Sequence, residues 1–389
     1  MTRAIDISSM LKEFSEFSAG PARVFRSPGR VNIIGEHTDY CDGLVLPTNT
    51  AIYTWLVAAA RDDRIVRVRT QDLQDVQQFS LDQIEKSDNP AWIDYVKGVA
   101  AVIESQGLCL QGADLLVSSE LPIGGGLSSS AAFELAIASA LLDIAAIQLP
   151  SATIARLCQQ AEIEYAKVNC GIMDQFAVAC CERDRAMLLD CRTLRTKHAR
   201  IPDDMRLLIV DSGVKHALPD GDYNNRAREC VDAARLLREQ IPDIVALRDL
   251  TEDQLEKSKA MLGDVLYRRC RHVVTENERV RFAFAALENQ DLLSLGSLIA
   301  KSHVSLRDDF EVSCDDVNRL VDIADCCDAV LGSRMVGAGF GGCVLALTTA
   351  GSVDSVVKTI RSQYVNPAGR EPWMHVVKPT AAVQAITLP

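Results

Sequence analysis

The chain has 389 residues, enough for two or three domains at roughly 150 residues each. Its 48% hydrophobic and 24% charged residues, with 22 Gly and 13 Pro, are globular values that exclude disordered, collagen-like and coiled-coil chains. A net charge of −12, from 41 basic and 53 acidic residues, would repel phosphate backbones and anionic lipid, so neither nucleic acid nor a membrane is an expected partner.

The first residues, MTRAIDISSMLKEFSEF, carry acids and no apolar core segment, unlike a secretory leader. From about residue 20 to 200, strand-like and helix-like segments alternate. Ala51 to Ala60 is a buried apolar run, Val66 and Val68 alternate with arginines, and Trp92 to Ser105 has helical spacing closed by Gly107. Leu115, Leu116 and Val117 lead through a Gly/Ser turn into a long Ala-rich helix. Ser151 is the expected N-cap of a further helix, whose apolar residues from Ile154 to Val168 follow the i, i+3, i+4 rule. A short strand at Leu207 to Val210 precedes mostly helical sequence to about 330. The tail reads as strand (Arg334 to Leu347), helix (Val353 to Gln363) and strand (His375 to Lys378), a small α+β layer. Met335 to Val353 is long and uncharged, but its glycines, threonines and serine suit a strand with a glycine loop better than a membrane span. No linker separates the halves, and a soft boundary is expected between residues 1–203 and 204–389. The 13 cysteines form no C-x-x-C pair and are expected to be reduced thiols of a cytoplasmic protein.

Three glycine-bearing stretches carry chemistry. In Ser27-Pro28-Gly29-Arg30-Val31-Asn32-Ile33-Ile34-Gly35-Glu36-His37-Thr38-Asp39-Tyr40, five hydrogen-bonding side chains follow a short apolar piece, a density that suits a ligand with many hydroxyls. Arg30 offers a permanent cation for phosphate or developing negative charge. In Leu121-Pro122-Ile123-Gly124-Gly125-Gly126-Leu127-Ser128-Ser129-Ser130-Ala131-Ala132, glycines and hydroxyls open a long helix, so free N–H groups and the positive dipole end converge as a phosphate cradle. It lacks the Gly-Lys-Ser/Thr of a Walker A loop. Gly337-Ala338-Gly339-Phe340-Gly341-Gly342 matches G-x-G-x-x-G, yet the strand-like Val344 to Leu347 follows it where a dinucleotide fingerprint needs a helix. A loop in which glycine backbone approaches another element or a ligand is the better account. Asp174 in Cys170-Gly171-Ile172-Met173-Asp174-Gln175-Phe176, and Glu162 beside the apolar stripe of its helix, are carboxylates that need a partner or a use.

Together these stretches resemble the GHMP kinase superfamily and, within it, the galactokinase family. GRVNIIGEHTDY is similar to the family's sugar signature, LPIGGGLSSSAA to its phosphate-binding loop, CGIMDQ to its catalytic-aspartate segment and GAGFGGC to its third glycine motif. The resemblance implies an α+β, two-domain GHMP kinase fold, with an N-terminal domain like ribosomal protein S5 domain 2 and a ferredoxin-like C-terminal domain. It implies ATP-dependent phosphorylation of α-D-galactose at the anomeric hydroxyl. N-acetylgalactosamine or another sugar is the nearest alternative substrate, and a non-catalytic galactose/ATP sensor a more distant alternative. Carried over, Asp174 and Arg30 would be catalytic. Glu36, His37, Thr38, Asp39, Gly171 and Tyr223 would bind the sugar, Gly124, Gly125, Gly126, Leu127, Ser128, Ser129 and Ser130 the ATP phosphates, and Ser130 and Glu162 Mg²⁺. The protein would act as a monomer. Cys41 stands where the family usually has Asn, which predicts altered sugar affinity or selectivity.

Overall fold

The structure, a computed structural model, describes residues 5–122, 125–214 and 221–387. In chain order its elements are α1 (Ile7–Phe17), β1 (Arg23–Asn32), β2 (Leu44–Val45), β3 (Pro47–Ala60), β4 (Ile65–Thr70), β5 (Asp75–Ser80), α2 (Trp92–Ser105), β6 (Ala113–Ser119), α3 (Ser129–Ile144), α4 (Ser151–Ala161), α5 (Met173–Cys180), β7 (Arg185–Asp190), β8 (Thr196–Arg200) and β9 (Met205–Asp211). There follow α6 (Gly221–Arg238), α7 (Glu252–Glu288), α8 (Leu292–Asp308), α9 (Asp315–Asp325), β10 (Val330–Val336), β11 (Cys343–Thr349), α10 (Val353–Gln363), β12 (Met374–Val376) and β13 (Gln384–Ile386).

The first half is built on a six-stranded sheet ordered β13-β1-β3-β6-β4-β5 and a small β2-β7-β8 sheet. Helices α2 to α5 bury their apolar faces against the large sheet in one cluster. The alternation read at Val66 and Val68 is the period-2 burial of β4. Helix α2 ends at Gly107, whose φ of +76° glycine adopts freely.

The second half holds a four-stranded antiparallel sheet ordered β10-β11-β9-β12. Numbered along the half, that is 2-3-1-4 with helices between the first and second strands and between the third and fourth, the ferredoxin-like order. A third apolar cluster joins the halves, with Val31, Ile33 and Leu46 from one packed with Ile209, Val280 and Leu345 from the other.

Three local expectations are corrected. Pro150, not Ser151, occupies the N-cap of α4, and Ser151 is its first helical residue. That helix does not run on to Val168, because a π-helical turn at Glu162–Ala166 ends it and Lys167 enters the left-handed region. The tail strand expected from Arg334 to Leu347 is two strands, split by positive-φ residues from Gly337 to Gly342. Chain order and space also part company at β13, which pairs antiparallel with β1 in the first half's sheet. Among the described residues no helix is long and apolar enough to cross a membrane, and every described cysteine is unpaired.

Candidate active site

The three glycine stretches meet. The register of β1 against β3 shifts between Pro28 and Arg30, a bulge that lets the strand re-aim a side chain inward. Arg30 is buried, and its Nε and Nη2 reach Asp174 Oδ1 at 2.8 and 2.6 Å. Its Nη1 donates to Gly126 O at 2.6 Å and its main-chain N–H to Leu127 O at 3.1 Å, so one arginine grips both the aspartate and the glycine loop. Burial opposes the charge of this guanidinium, but Asp174 and Glu36 outweigh burial and raise its pKa. Asp174 lies in the first turn of α5, and its Oδ2 accepts from Ser128 Oγ at 2.5 Å. Gly126 (φ +73°) and Gly337 (φ +85°) touch backbone to backbone, since a Cβ on Gly337 would stand 2.9 Å from Gly126 Cα.

The loop after β1 supplies the opposite wall. Glu36 is buried, and its carboxylate accepts from Asn32 Nδ2, from the Gly337 N–H at 2.8 Å, and pairs with Arg334 at 3.2 Å. Arg334 is itself fully buried and holds the carbonyls of Asn32, Ile33 and Met335. His37 adopts φ +60° and is pushed down to about 3 by burial and by His272. The neutral ring donates from Nε2 to Ala338 O at 3.1 Å and accepts at Nδ1 from Tyr40 Oη at 2.7 Å. Tyr223, on α6, stands against His37 and Tyr40 with ring centroids 5.7 and 5.6 Å away. Asp39 abuts Gly171 so closely that a Cβ there would fall 1.8 Å from Asp39 Oδ2. Burial, and then Asp174, push the Asp39 carboxyl up to about 7.

Arg30, Asp174, Glu36, His37, Asp39, Gly171 and Tyr223 line one cavity of about 290 Å³, with Cys170, Met173, Asp222 and Asn224 also in its wall. Asn224 Oδ1 is buried and has no donor among the described residues. At the other end stand Ser130 and the buried Glu162, whose carboxylate accepts from Gln175 Nε2 at 2.5 Å. Burial and the charge of Asp174 raise the Glu162 pKa, the mark of an acid with no cation beside it. Ser130 also lines a second, mainly apolar cleft of about 220 Å³ walled by Trp92, Tyr95, Phe133, Leu73 and Val117. One serine thus separates a polar pocket from an aromatic one.

Residues 12–60 match the galactokinase galactose-binding signature, 94–182 the GHMP kinases N terminal domain and 283–366 the GHMP kinases C terminal family. A galactokinase of a Roseiflexus species is 40% identical over 97% of each chain, and one of Chloroflexus aggregans 42% identical over 94% of each. The chain belongs to the galactokinase family. A crystal structure of Lactococcus lactis galactokinase complexed with galactose is 34% identical, covers 97% of this chain and 99% of that one, and superposes with a TM-score of 0.93. Mevalonate kinase, at 16% identity and a TM-score of 0.66, shares the fold.

Two expected site residues of this galactokinase family member sit differently from the sequence expectation. Thr38 is buried and its hydroxyl faces the carbonyls of Gly35 and Leu44 at 3.0 and 2.8 Å, so it braces the loop instead of lining the cavity. Ser128 is turned to Asp174. Gly124 lies outside the described residues, while Ser129 borders the aromatic cleft. Cys41 does not line the cavity and packs in the second half's core in one apolar cluster with Cys230. Sequence reading missed Trp92, Tyr95, Arg334 and Asn224. Only Asn224 had a local signal, its place beside Tyr223.

Proposed function

We propose that the protein transfers the γ-phosphoryl group of ATP to the anomeric hydroxyl of α-D-galactose, giving galactose 1-phosphate and ADP. The observation that carries this reading is the Arg30–Asp174 pair, set where the hydroxyl-binding cavity meets the glycine loop. Residues 1–203 and 204–389 act as two domains with the reacting groups between them. Glu36, His37, Asp39, Gly171 and Tyr223 receive the sugar, and the unpartnered Asn224 Oδ1 adds an acceptor for a sugar hydroxyl. The aromatic cleft takes the adenine, which leaves the triphosphate to run past Ser130 along Gly125 to Ser130 and the α3 N-terminus.

The galactose O1 attacks the γ-phosphorus as the bond to the β,γ-bridging oxygen breaks, and Asp174 takes the O1 proton. Arg30 holds the Asp174 carboxylate in place by two donors to one oxygen and adds positive charge beside the oxygens being transferred. Ser130 and Glu162 would hold Mg²⁺, which neutralises developing charge on phosphate oxygens when bound. Their chemistry fits, because both offer hard oxygen donors and Glu162 is a buried acid in want of a cation. Among the described residues no cluster of three or more metal-ligating side chains forms a cage, which suits an ion held by one or two protein oxygens plus phosphates. The protein acts as a monomer in the cytoplasm, where its 13 cysteines, none in a C-x-x-C pair, stay reduced.

The test is ADP release from Mg-ATP with galactose, N-acetylgalactosamine, glucose, mannose, arabinose and 2-deoxygalactose, run beside Asp174→Ala. Turnover should be strongest with galactose and lost in the variant. Phosphorylation of none of these sugars would overturn the reading.

A further inference from the structure

Helix α7 crosses behind the sugar-facing loop and presents to it three polar side chains that are almost fully buried: His272, Glu276 and Asn277. Helical spacing of four and five residues puts them on adjoining faces of the same turn pair. Each reaches the loop's main chain, not its side chains. Gly35 N–H donates to Glu276 Oε1 at 3.0 Å, Leu44 N–H donates to Asn277 Oδ1 at 2.7 Å, and His272 Nε2 donates to Glu36 O at 3.0 Å. The contacts pin the first and last residues of the turn that carries Glu36, His37 and Asp39.

Helices α7 and α8 hold Glu276 and Asn277 in place in turn. Ser302 Oγ donates to Glu276 Oε1 at 2.6 Å, Arg279 Nε to the other oxygen at 2.5 Å, and Asn277 Nδ2 to Val273 O at 2.8 Å. Burial alone would raise the Glu276 carboxyl, but Arg279, His272 and Ser302 outweigh it and hold it at about 2. Glu276 therefore remains an ionised acceptor at neutral pH. Gly35 has φ +106°, and a Cβ there would meet Leu44 O at 2.7 Å and Val280 Cγ2 at 2.9 Å, so only glycine lets the loop lie this close to α7. A buried carboxylate is a poor device for stability alone, since apolar side chains of similar volume fill such space at least as well. It is a good device for fixing where a backbone lies.

We propose that Glu276, supported by Asn277 and His272, is a positioning residue for the sugar, setting the place of the Glu36-to-Asp39 turn and so the affinity for galactose without touching it. The inference rests on the galactose-kinase reading above. It expects damage to fall on the sugar side of the reaction, because the glycine loop is gripped by Arg30, the aromatic cleft is walled by residues of the first half, and among the described residues neither hydrogen-bonds to this stripe.

The experiment compares wild type, Glu276→Ala, Glu276→Gln, Asn277→Ala and, as a control, Arg269→Met. Arg269 is buried on the same helix but pairs with Glu229 and Glu311. Galactose and ATP KM values, kcat, calorimetric galactose binding and Tm are measured for each. Glu276→Ala should raise the galactose KM and Kd at least about tenfold, with a much smaller change in the ATP KM. Glu276→Gln, which keeps a carbonyl acceptor for Gly35, should recover most of that loss. Arg269→Met should lower Tm without moving the galactose KM. Equal losses for both substrates, or a Tm loss with unchanged galactose affinity, would overturn the inference. If Glu276→Ala fails to fold, Asn277→Ala is read by the same criteria. Wild-type protein that bound no galactose would overturn the functional reading and this inference together, whereas galactose binding equal in wild type and variants would overturn the inference alone.

Discussion

The two loops that meet at Arg30 are built on opposite plans. The sugar-facing loop from Gly35 to Leu44 is tied at nearly every residue. Glu276, Asn277 and His272 hold its backbone, Thr38 spans it from within, Arg334 fixes Glu36 and Arg248 donates to Asp42 O at 2.6 Å. The described part of the glycine loop has little of this. Gly125 N–H reaches Pro122 O at 3.3 Å, and Arg30 holds the carbonyls of Gly126 and Leu127. On the proposed function, the difference follows from what each recognises. A phosphate presents the same oxygens from every side, so backbone N–H groups at a helix start are enough. A sugar is told from its epimers by single hydroxyl positions, and side chains that read them must be held to a fraction of an ångström.

Four measurements probe that contrast. Asp174→Ala removes the group both loops converge on, and kcat should fall by about 10²–10⁴ while both substrates still bind. Near-normal turnover in Asp174→Asn, which keeps the side chain's shape but not its proton acceptor, would leave Asp174 with an orienting role only. Next, Gly171→Ala and Gly126→Ala should separate the two sides. The first drives a methyl into Asp39 and should weaken galactose binding by roughly a hundredfold or more with ATP binding kept. The second strains a positive φ and crowds Val336 O, and should harm ATP binding instead. Calorimetry with each ligand would reveal whether the effects cross over as stated. A smaller effect is expected at Trp92→Ala, about tenfold in the ATP KM with the galactose KM unmoved, because it strips one wall from the aromatic cleft.

The smallest effect concerns stability. Asp39 titrates at about 7 in the folded protein, raised by burial and by Asp174, so the unfolded chain ionises first. Between about pH 4 and 7 the folded state holds the extra proton, and stability falls as pH rises through that window. Asp39→Asn carries no such charge. Without ligands, its Tm advantage over wild type should be a few degrees greater at pH 8 than at pH 5, even as sugar binding is lost. An equal advantage at both pH values would refute the buried-charge account.

The plan of each loop also decides what could be read from sequence. Glycines, serines and a helix start are local, so LPIGGGLSSSAA points to a phosphate cradle by itself. The turn from Glu36 to Asp39 was legible as a cluster of polar side chains, but not the residues that hold it. Arg334 sits in an alternating strand and His272, Glu276 and Asn277 in a polar helix, where each looks like a solvated surface position. Their burial depends on contacts more than two hundred residues apart in sequence, which no periodicity encodes. For the same reason Thr38, inseparable in sequence from its ligand-facing neighbours, was assigned to the cavity it does not line. The fold class followed from resemblance, and the strand and helix pattern agreed with it except where a π-helical turn and a run of glycines broke elements that looked continuous.

The pairing of β13 with β1 bears on how the protein is made. Strand β1 carries Arg30 and leads into the sugar-facing turn, yet at Val24 to Arg26 its outer edge pairs with residues 384–386, synthesised after the rest of the second half. A ribosome-bound chain therefore carries the first half's sheet with a row of free N–H and C=O groups, the kind of edge on which nascent chains join one another. Late closure of that edge makes the interval between the two strands' synthesis the stage at which edge-to-edge pairing between chains has most opportunity.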